Sequence, residues 1–292
     1  MMTEIVENFK RHLQQLGYSN GSVSSLPMHV KSFLGHRQKT THSNEVQNIS
    51  PSEIQDFYHW LHERPLKHGD GGLSEVYIYK HVYALKLFFS YLETTGQITS
   101  NPINALKFKL PKLNSREPLT KEEVKQLFET ARNYKETAIL HLFYSCGLRR
   151  SEASSLNIKD IHFKSGLLYV REGKGRKRRV IPLTQTVSND LKNYFLQERT
   201  SSISALADTE AFILNRYGHR MSCKAFNKFM RTFSLKTNLN RTVSPHYLRH
   251  SIATHLLENG LQVEYVREFL GHSYLESTQI YTKINKKQIQ DL

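Results

Sequence analysis

Five short stretches concentrate residues able to handle a phosphodiester. They are Gly147-Leu148-Arg149-Arg150-Ser151-Glu152, the basic run Arg171-Glu172-Gly173-Lys174-Gly175-Arg176-Lys177-Arg178-Arg179, Ser244-Pro245-His246-Tyr247-Leu248-Arg249-His250, Leu270-Gly271-His272, and Tyr281. Singly, each has an ordinary reading. Arg149 and Glu152 stand at i and i+3, the spacing of a helix ion pair. The basic run reads as solvated surface, His272 after Gly271 as a helix end, and a lone tyrosine as core. Together they form a set for phosphoryl transfer. The transition state spreads negative charge over equatorial oxygens, which two always-charged guanidiniums bind bidentately. A tyrosine hydroxyl, with a pKa of about 10, serves as nucleophile when it is assisted and its target is neutralised. An ammonium on a flexible hairpin can protonate the departing oxygen.

The elements that must position these groups are mixed in type. Leu119-Thr120-Lys121-Glu122-Glu123 reads as a capping box, with Thr120 as N-cap and Glu123 three residues on. Helices are predicted near 121–132 and 136–146, and the Gly147 stretch falls where one helix ends and another starts. Gly166 to Val170 and Arg179 to Leu183 flank a glycine-bearing turn, which is a hairpin signal, and Ile158 to Phe163 adds a third strand. Ser244-Pro245 starts a helix with proline in its first turn. His246 and Arg249 then share a face. From about Gln185 onward helices dominate.

The N-terminal part reads as all helix. Ile5, Phe9, Leu13 and Leu16 recur at spacings of three and four before Gly17. Val23, Leu26, Val30, Phe33 and Leu34 make a second run before Gly35. Ser50-Pro51-Ser52-Glu53 opens a third, with Ile54, Phe57, Trp60 and Leu61 as its stripe. A long helix is expected from about Ser74 to Thr95, burying Ile78, Val82, Leu85, Phe88, Phe89 and Leu92. Lys80, His81 and Lys86 fall on its other face. Residues 101–117 form a basic linker punctuated by prolines. The expected division is 1–105, a linker 106–117, and 118–292.

Composition narrows the classes. The 292 residues carry 41 Lys and Arg against 26 Asp and Glu, a formal charge of +15. The excess is uneven: residues 1–117 hold 13 basic and 10 acidic side chains, and 118–292 hold 28 and 16. A polyanion partner is indicated, with its stronger attraction to the second unit. No stretch of about 20 residues is apolar enough to span a membrane, and no signal peptide is visible after Met1. Cys146 and Cys223 are the only cysteines. That number suits a reducing compartment, with both thiols as small buried hydrophobes.

With these patches in order, the chain resembles the tyrosine recombinases, or phage-integrase family, and within it the compact Xer-type members. Gly147-Leu148-Arg149 followed by Ser151-Glu152 resembles the first arginine box. Gly173-Lys174-Gly175 before Val180-Ile181-Pro182-Leu183 resembles the lysine hairpin. His246 to His250 with Leu270-Gly271-His272 resembles the second box. Tyr281 stands at the nucleophile's place. Residues 1–105 fit the family's core-binding domain only in size and helix content. Arg150 departs from the pattern, where the family often has an aliphatic or small residue, and is expected to contact DNA or lie at the surface.

The resemblance implies a mainly α fold with a small antiparallel β-sheet. The catalytic domain would be α+β, and the whole a two-domain DNA clamp whose N-terminal domain is all helical. It implies a metal-free, ATP-free recombinase acting through a 3′-phosphotyrosyl intermediate. Arg149 and Arg249 would clamp the scissile phosphate and His272 would add a hydrogen bond to it. His246 would relay the tyrosine proton, Lys174 would protonate the 5′ oxygen and Tyr281 would attack. Glu152 would support Arg149. Arg176, Lys177, Arg178, Lys107 and Lys109 would touch DNA. No cofactor and no metal is implied. The partner would be a double-stranded recombination site, held by a homotetramer or by two protomers each of this chain and a paralogue, in the cytoplasm. The roles implied are integration, excision, inversion or dimer resolution, including those of a mobile element. Rival readings are a type IB topoisomerase and a non-catalytic DNA-binding relic.

Overall fold

The computed structural model describes residues 2–43, 45–66, 70–111, 117–171, 178–199, 210–237 and 239–271. The chain divides into two compact units, Met1–Ser115 and Arg116–Leu292.

In the described residues the first unit is helical: α1 (Met2–Gln15), α2 (Asn20–Thr41), α3 (Pro51–Glu63) and α4 (Glu75–Thr94). Its core is aromatic. Phe9 meets Phe88 edge-on at 5.4 Å, and Phe33 meets Phe57 at 5.3 Å, within the spacing favoured by ring quadrupoles. Ser50 and Glu53 close a reciprocal capping box at the start of α3, and Ser74 caps α4.

Two expectations need correction here. The second helix does not stop before Gly35 but runs on to Thr41. Arg37, buried, reaches from that last turn to Glu53 Oε1 (2.7 Å) and to the carbonyls of Ser43 and Glu45. These bonds tie the helix to α3, which outweighs the propensity cost of one glycine, about 1 kcal/mol. His81 is not on the solvent face. It is buried, with Nε2 at 3.2 Å from His29 Nδ1, whereas Lys80 and Lys86 are exposed as expected. Burial, with the nearby charges of His29 and Arg64, lowers its pKa to about 3, so the ring stays neutral.

The short 3₁₀ turn Pro102–Ala105 buries Ile103 in this same core, and Leu106 and Phe108 pack on it. Phe108 lies edge-on to Tyr58 at 5.2 Å. The start of the basic segment is thus part of the first unit's surface, with Lys107 and Lys109 exposed on it.

The second unit begins with the expected cap. Thr120 and Glu123 form a reciprocal box at the start of α5 (Lys121–Thr130). There follow α6 (Tyr134–Phe143), α7 (Arg150–Ser155), β1 (Ile161–His162), β2 (Leu167–Val170), β3 (Arg179–Pro182) and α8 (Gln185–Asn193). A π-helical turn, Tyr194–Arg199, continues α8. Next come α9 (Cys223–Ser234), α10 (Pro245–Glu258) and α11 (Val263–Leu270). The sheet is antiparallel in the order β1-β2-β3, with Leu168 opposite Ile181 and Val170 opposite Arg179. The strand expected over Ile158 to Phe163 is only β1, two residues long, because Ile158–Asp160 coils into a 3₁₀ turn first.

The core gathers Ile139, Leu140, Leu142 and Phe143 of α6 with Leu148, Leu168, Ile181, Phe226, Leu248, Ile252, Phe269 and Leu270. His255 is structural, bonded to Tyr144 Oη and the Leu119 carbonyl at 2.8 Å each. Cys146 is fully buried, its thiol pushed up to about 12 by burial. Cys223 is only half-buried, at the start of α9.

Candidate active site

Two glycine turns set the positions of the arginines. Gly147 adopts φ +55, and a Cβ there would come within 2.9 Å of a Leu270 methyl. The turn after α6 therefore packs directly on the end of α11. Gly271 ends α11 in the left-handed conformation, φ +65, and a Cβ there would lie 3.0 Å from the Arg179 guanidinium. Only glycine meets both demands without strain.

Between these turns three arginines converge on one buried carboxylate. Arg149 is the N-cap residue of α7. Glu152 Oε2 accepts its backbone N–H at 2.7 Å, and Glu152 Oε1 accepts from Arg149 Nη1 at 2.8 Å. Arg179, at the start of β3, donates both Nη1 and Nη2 to the two oxygens of Glu152, at 2.9 and 2.8 Å. Arg249 of α10 brings Nη1 to 3.9 Å from Glu152 Oε2.

The same three side chains read the last carbonyls of α11 in succession. Arg179 Nε donates to Phe269 O at 2.8 Å, Arg249 Nη2 to Leu270 O, and Arg149 Nη2 to Gly271 O at 2.8 Å. Arg249 Nη1 also donates to Gly147 O. A helix C-terminus carries unpaired carbonyls and partial negative charge, so cations there are favoured.

The electrostatics follow from this crowding. Burial alone would raise the Glu152 carboxyl. The Arg179 hydrogen bonds and charge, with the backbone and side-chain hydrogen bonds from Arg149, outweigh it and bring its pKa to about 2. Burial, then the positive charges of Arg149 and Arg179, lowers Arg249 to about 9 against the pull of Glu152, leaving it cationic at neutral pH.

Not every residue singled out in the sequence falls in this cluster. Arg149 and Arg249 do, and Glu152 supports Arg149 as expected. His246 is exposed in the first turn of α10, whose N-cap is Ser244. Arg178 is exposed just before β3. Lys107 and Lys109 lie in the first unit. Lys174, Arg176, Lys177, His272 and Tyr281 lie outside the described residues. Among the described residues, no group of three or more His, Cys, Asp or Glu side chains could hold a metal ion, and no helix is long and apolar enough to cross a membrane.

The residue that the sequence did not single out is Arg179. It carried a signal, however. In β3 it alternates with Val180 so as to share the inward face of Ile181, and a charged residue on a core-facing strand position requires a buried partner.

Comparison with known proteins gives the chain's family and fold. The phage integrase family matches residues 117–288. The tyrosine recombinase XerD of Oceanobacillus iheyensis is 33% identical over 299 residues, covering 100% of this chain and 97% of that protein. The tyrosine recombinase XerC of Thermodesulfovibrio yellowstonii is 33% identical, covering 97% of this chain and 93% of its own. Two solved structures share the fold. The Tn1549 transposon integrase in complex with a circular intermediate DNA has a TM-score of 0.71 at 18% identity, covering 99% of each chain. The XerH site-specific recombinase bound to its difH substrate has a TM-score of 0.65 at 21% identity, covering 100% of this chain and 83% of that one. By sequence along its whole length and by the fold that brings its two arginine boxes together, the chain belongs to the phage integrase family, as an Xer-type tyrosine recombinase.

Proposed function

We propose that this recombinase cleaves and rejoins duplex DNA at a defined site through a phosphotyrosyl intermediate. The observation that carries the reading is the meeting of Arg149 and Arg249, 100 positions apart, on the carbonyls of Leu270 and Gly271. Each guanidinium keeps further N–H groups for the non-bridging oxygens of a phosphate, where preorganised cations lower the barrier.

In this mechanism Tyr281 Oη attacks the scissile phosphorus and forms an O–P bond. Its proton passes to His246. The bond from phosphorus to the 5′ oxygen breaks, and Lys174 protonates the leaving oxygen. His272 donates a hydrogen bond to the same phosphate. The phosphotyrosyl bond conserves the ester, so a free 5′ hydroxyl from another strand reverses the step without ATP. Arg176, Lys177, Arg178, Lys107 and Lys109 hold DNA phosphates. Four protomers act on two duplexes, in the cytoplasm. Affinity falls steeply as salt rises, because each phosphate contact releases counterions.

The test is capture of covalent protein–DNA adducts from sheared genomic DNA of the source cell, followed by mapping of the attached ends. Adducts at one recurrent sequence support the reading. Tyr281→Phe should retain DNA affinity and form no adduct, and an adduct in that variant refutes the nucleophile assignment. Cleavage should persist in EDTA; its loss there refutes the metal-free mechanism.

A further inference from the structure

We propose that Arg179 is a positioning residue of the recombination reaction: it neutralises Glu152, so that this carboxylate can anchor Arg149 while Arg149 and Arg249 both keep their charge for the phosphate. The inference rests on the recombinase reading and assigns a role to a residue that cannot itself reach DNA.

The assignment follows from where each donor goes. Arg179 is 5% exposed, and all three of its nitrogens are engaged within the protein: Nε with Phe269 O, and Nη1 and Nη2 with Glu152. Its two remaining N–H groups are enclosed, since the side chain is only 3% exposed and both Nη atoms are fixed on the carboxylate. Arg149 is different. Its side chain is 17% exposed and it gives Glu152 a single side-chain bond. Arg249 gives Glu152 none within hydrogen-bond distance. The carboxylate is thus matched in fork-to-fork geometry with Arg179, the strongest arrangement available to this pair of groups. The surplus positive charge of the cluster sits on the two arginines of the family boxes.

Without Arg179, the single negative charge of Glu152 would be shared by Arg149 and Arg249. Half of the clamp's charge would be cancelled inside the protein. Both guanidiniums would also be drawn inward, toward the carboxylate. Arg179 has a second effect through its Nε: with Phe269 O held, the three carbonyls that orient the arginines are kept in place, directly before His272. Oriented donors count for catalysis only if they are set before the charge develops.

The experiment measures the rate of adduct formation on the duplex recovered with the unaltered chain, alongside DNA affinity and thermal melting. Arg179→Met should slow adduct formation by roughly 10²–10³-fold, the scale of losing one preorganised donor, with DNA affinity changed by less than about threefold. Arg179→Lys restores the charge without the fork and should stay within about thirtyfold of the unaltered rate. The double variant E152Q/R179M removes both members of the buried pair. It should react about tenfold faster than Arg179→Met alone, a coupling that a merely structural arginine would not produce.

The proposal is overturned if Arg179→Met reacts at the unaltered rate. It is also overturned if the double variant is no faster than Arg179→Met. Should Arg179→Met fail to fold, Arg179→Lys decides: folded and more than about thirtyfold slow, it overturns the proposal. If the unaltered chain forms no adduct at all, the recombinase reading itself fails. An adduct with the unaltered chain and full activity in Arg179→Met refutes this inference alone.

Discussion

Glu152→Ala tests the electrostatic logic of the second unit without any DNA. The carboxyl is held at about 2 rather than at its model-compound value of 4.5. At 1.36 kcal/mol per pKa unit, that difference corresponds to about 3 kcal/mol of stability at pH 7. Removing one member of a buried pair gives a similar figure, about 3–5 kcal/mol, because Arg179 would be left charged and unmatched. A surface ion pair would contribute no more than about 1 kcal/mol. The folded carboxyl has the lower pKa, so its contribution is complete above about pH 5 and shrinks as pH falls from 4.5 toward 2. At pH 3 about half should remain. Urea unfolding followed by far-UV circular dichroism measures the loss. Trp60, the single tryptophan, lies in the first unit and provides an internal control, so its fluorescence transition should not move. A loss under about 1 kcal/mol at pH 7, or a difference that stays constant down to pH 3, would refute the reasoning.

Other perturbations have equally definite outcomes. Arg37→Met should shift the Trp60 transition by about 3–5 kcal/mol, because Glu53 loses its buried partner and the last turn of α2 its anchor; an unshifted transition would contradict this. Gly271→Ala should lower the second unit's stability by at least about 1 kcal/mol through its positive φ. It should also displace Arg179, visible as slower adduct formation at unchanged DNA affinity. Thr120→Ala should cost about 1 kcal/mol by removing the N-cap of α5, seen in the same urea experiment; no loss would mean the capping box contributes nothing.

What could be read in the sequence was largely what local rules govern. The capping box at Thr120, the proline-led starts at Pro51 and Pro245 and the hairpin flanking residues 171–178 all follow from residues within one turn of one another. The first and second arginine boxes were picked out by resemblance to the family, since each patch alone has an ordinary reading as a helix pair or surface charge. The extension of α2 past Gly35 was not, since its cause is a contact from Arg37 to Glu53, 16 positions away. His81 was misplaced for the same reason: its burial depends on pairing with His29 of another helix. Arg179 was hidden in a run of basic residues whose charge suggested DNA. Its alternation with Ile181 in the strand was the better guide, and tertiary packing decided between the two. How Lys174, His272 and Tyr281 complete the constellation lies outside the described residues.

The grip of three arginines on Phe269, Leu270 and Gly271 uses main-chain oxygens, which every amino acid carries. Exchanging the side chains at 269 or 270 alters packing but leaves the oxygens that the guanidiniums hold. Chain length is another matter. Adding or deleting a single residue in α11 would rotate its final turn by about 100° and hand each arginine the wrong oxygen. This end of the helix should therefore accept a change of residue far more readily than a change of length.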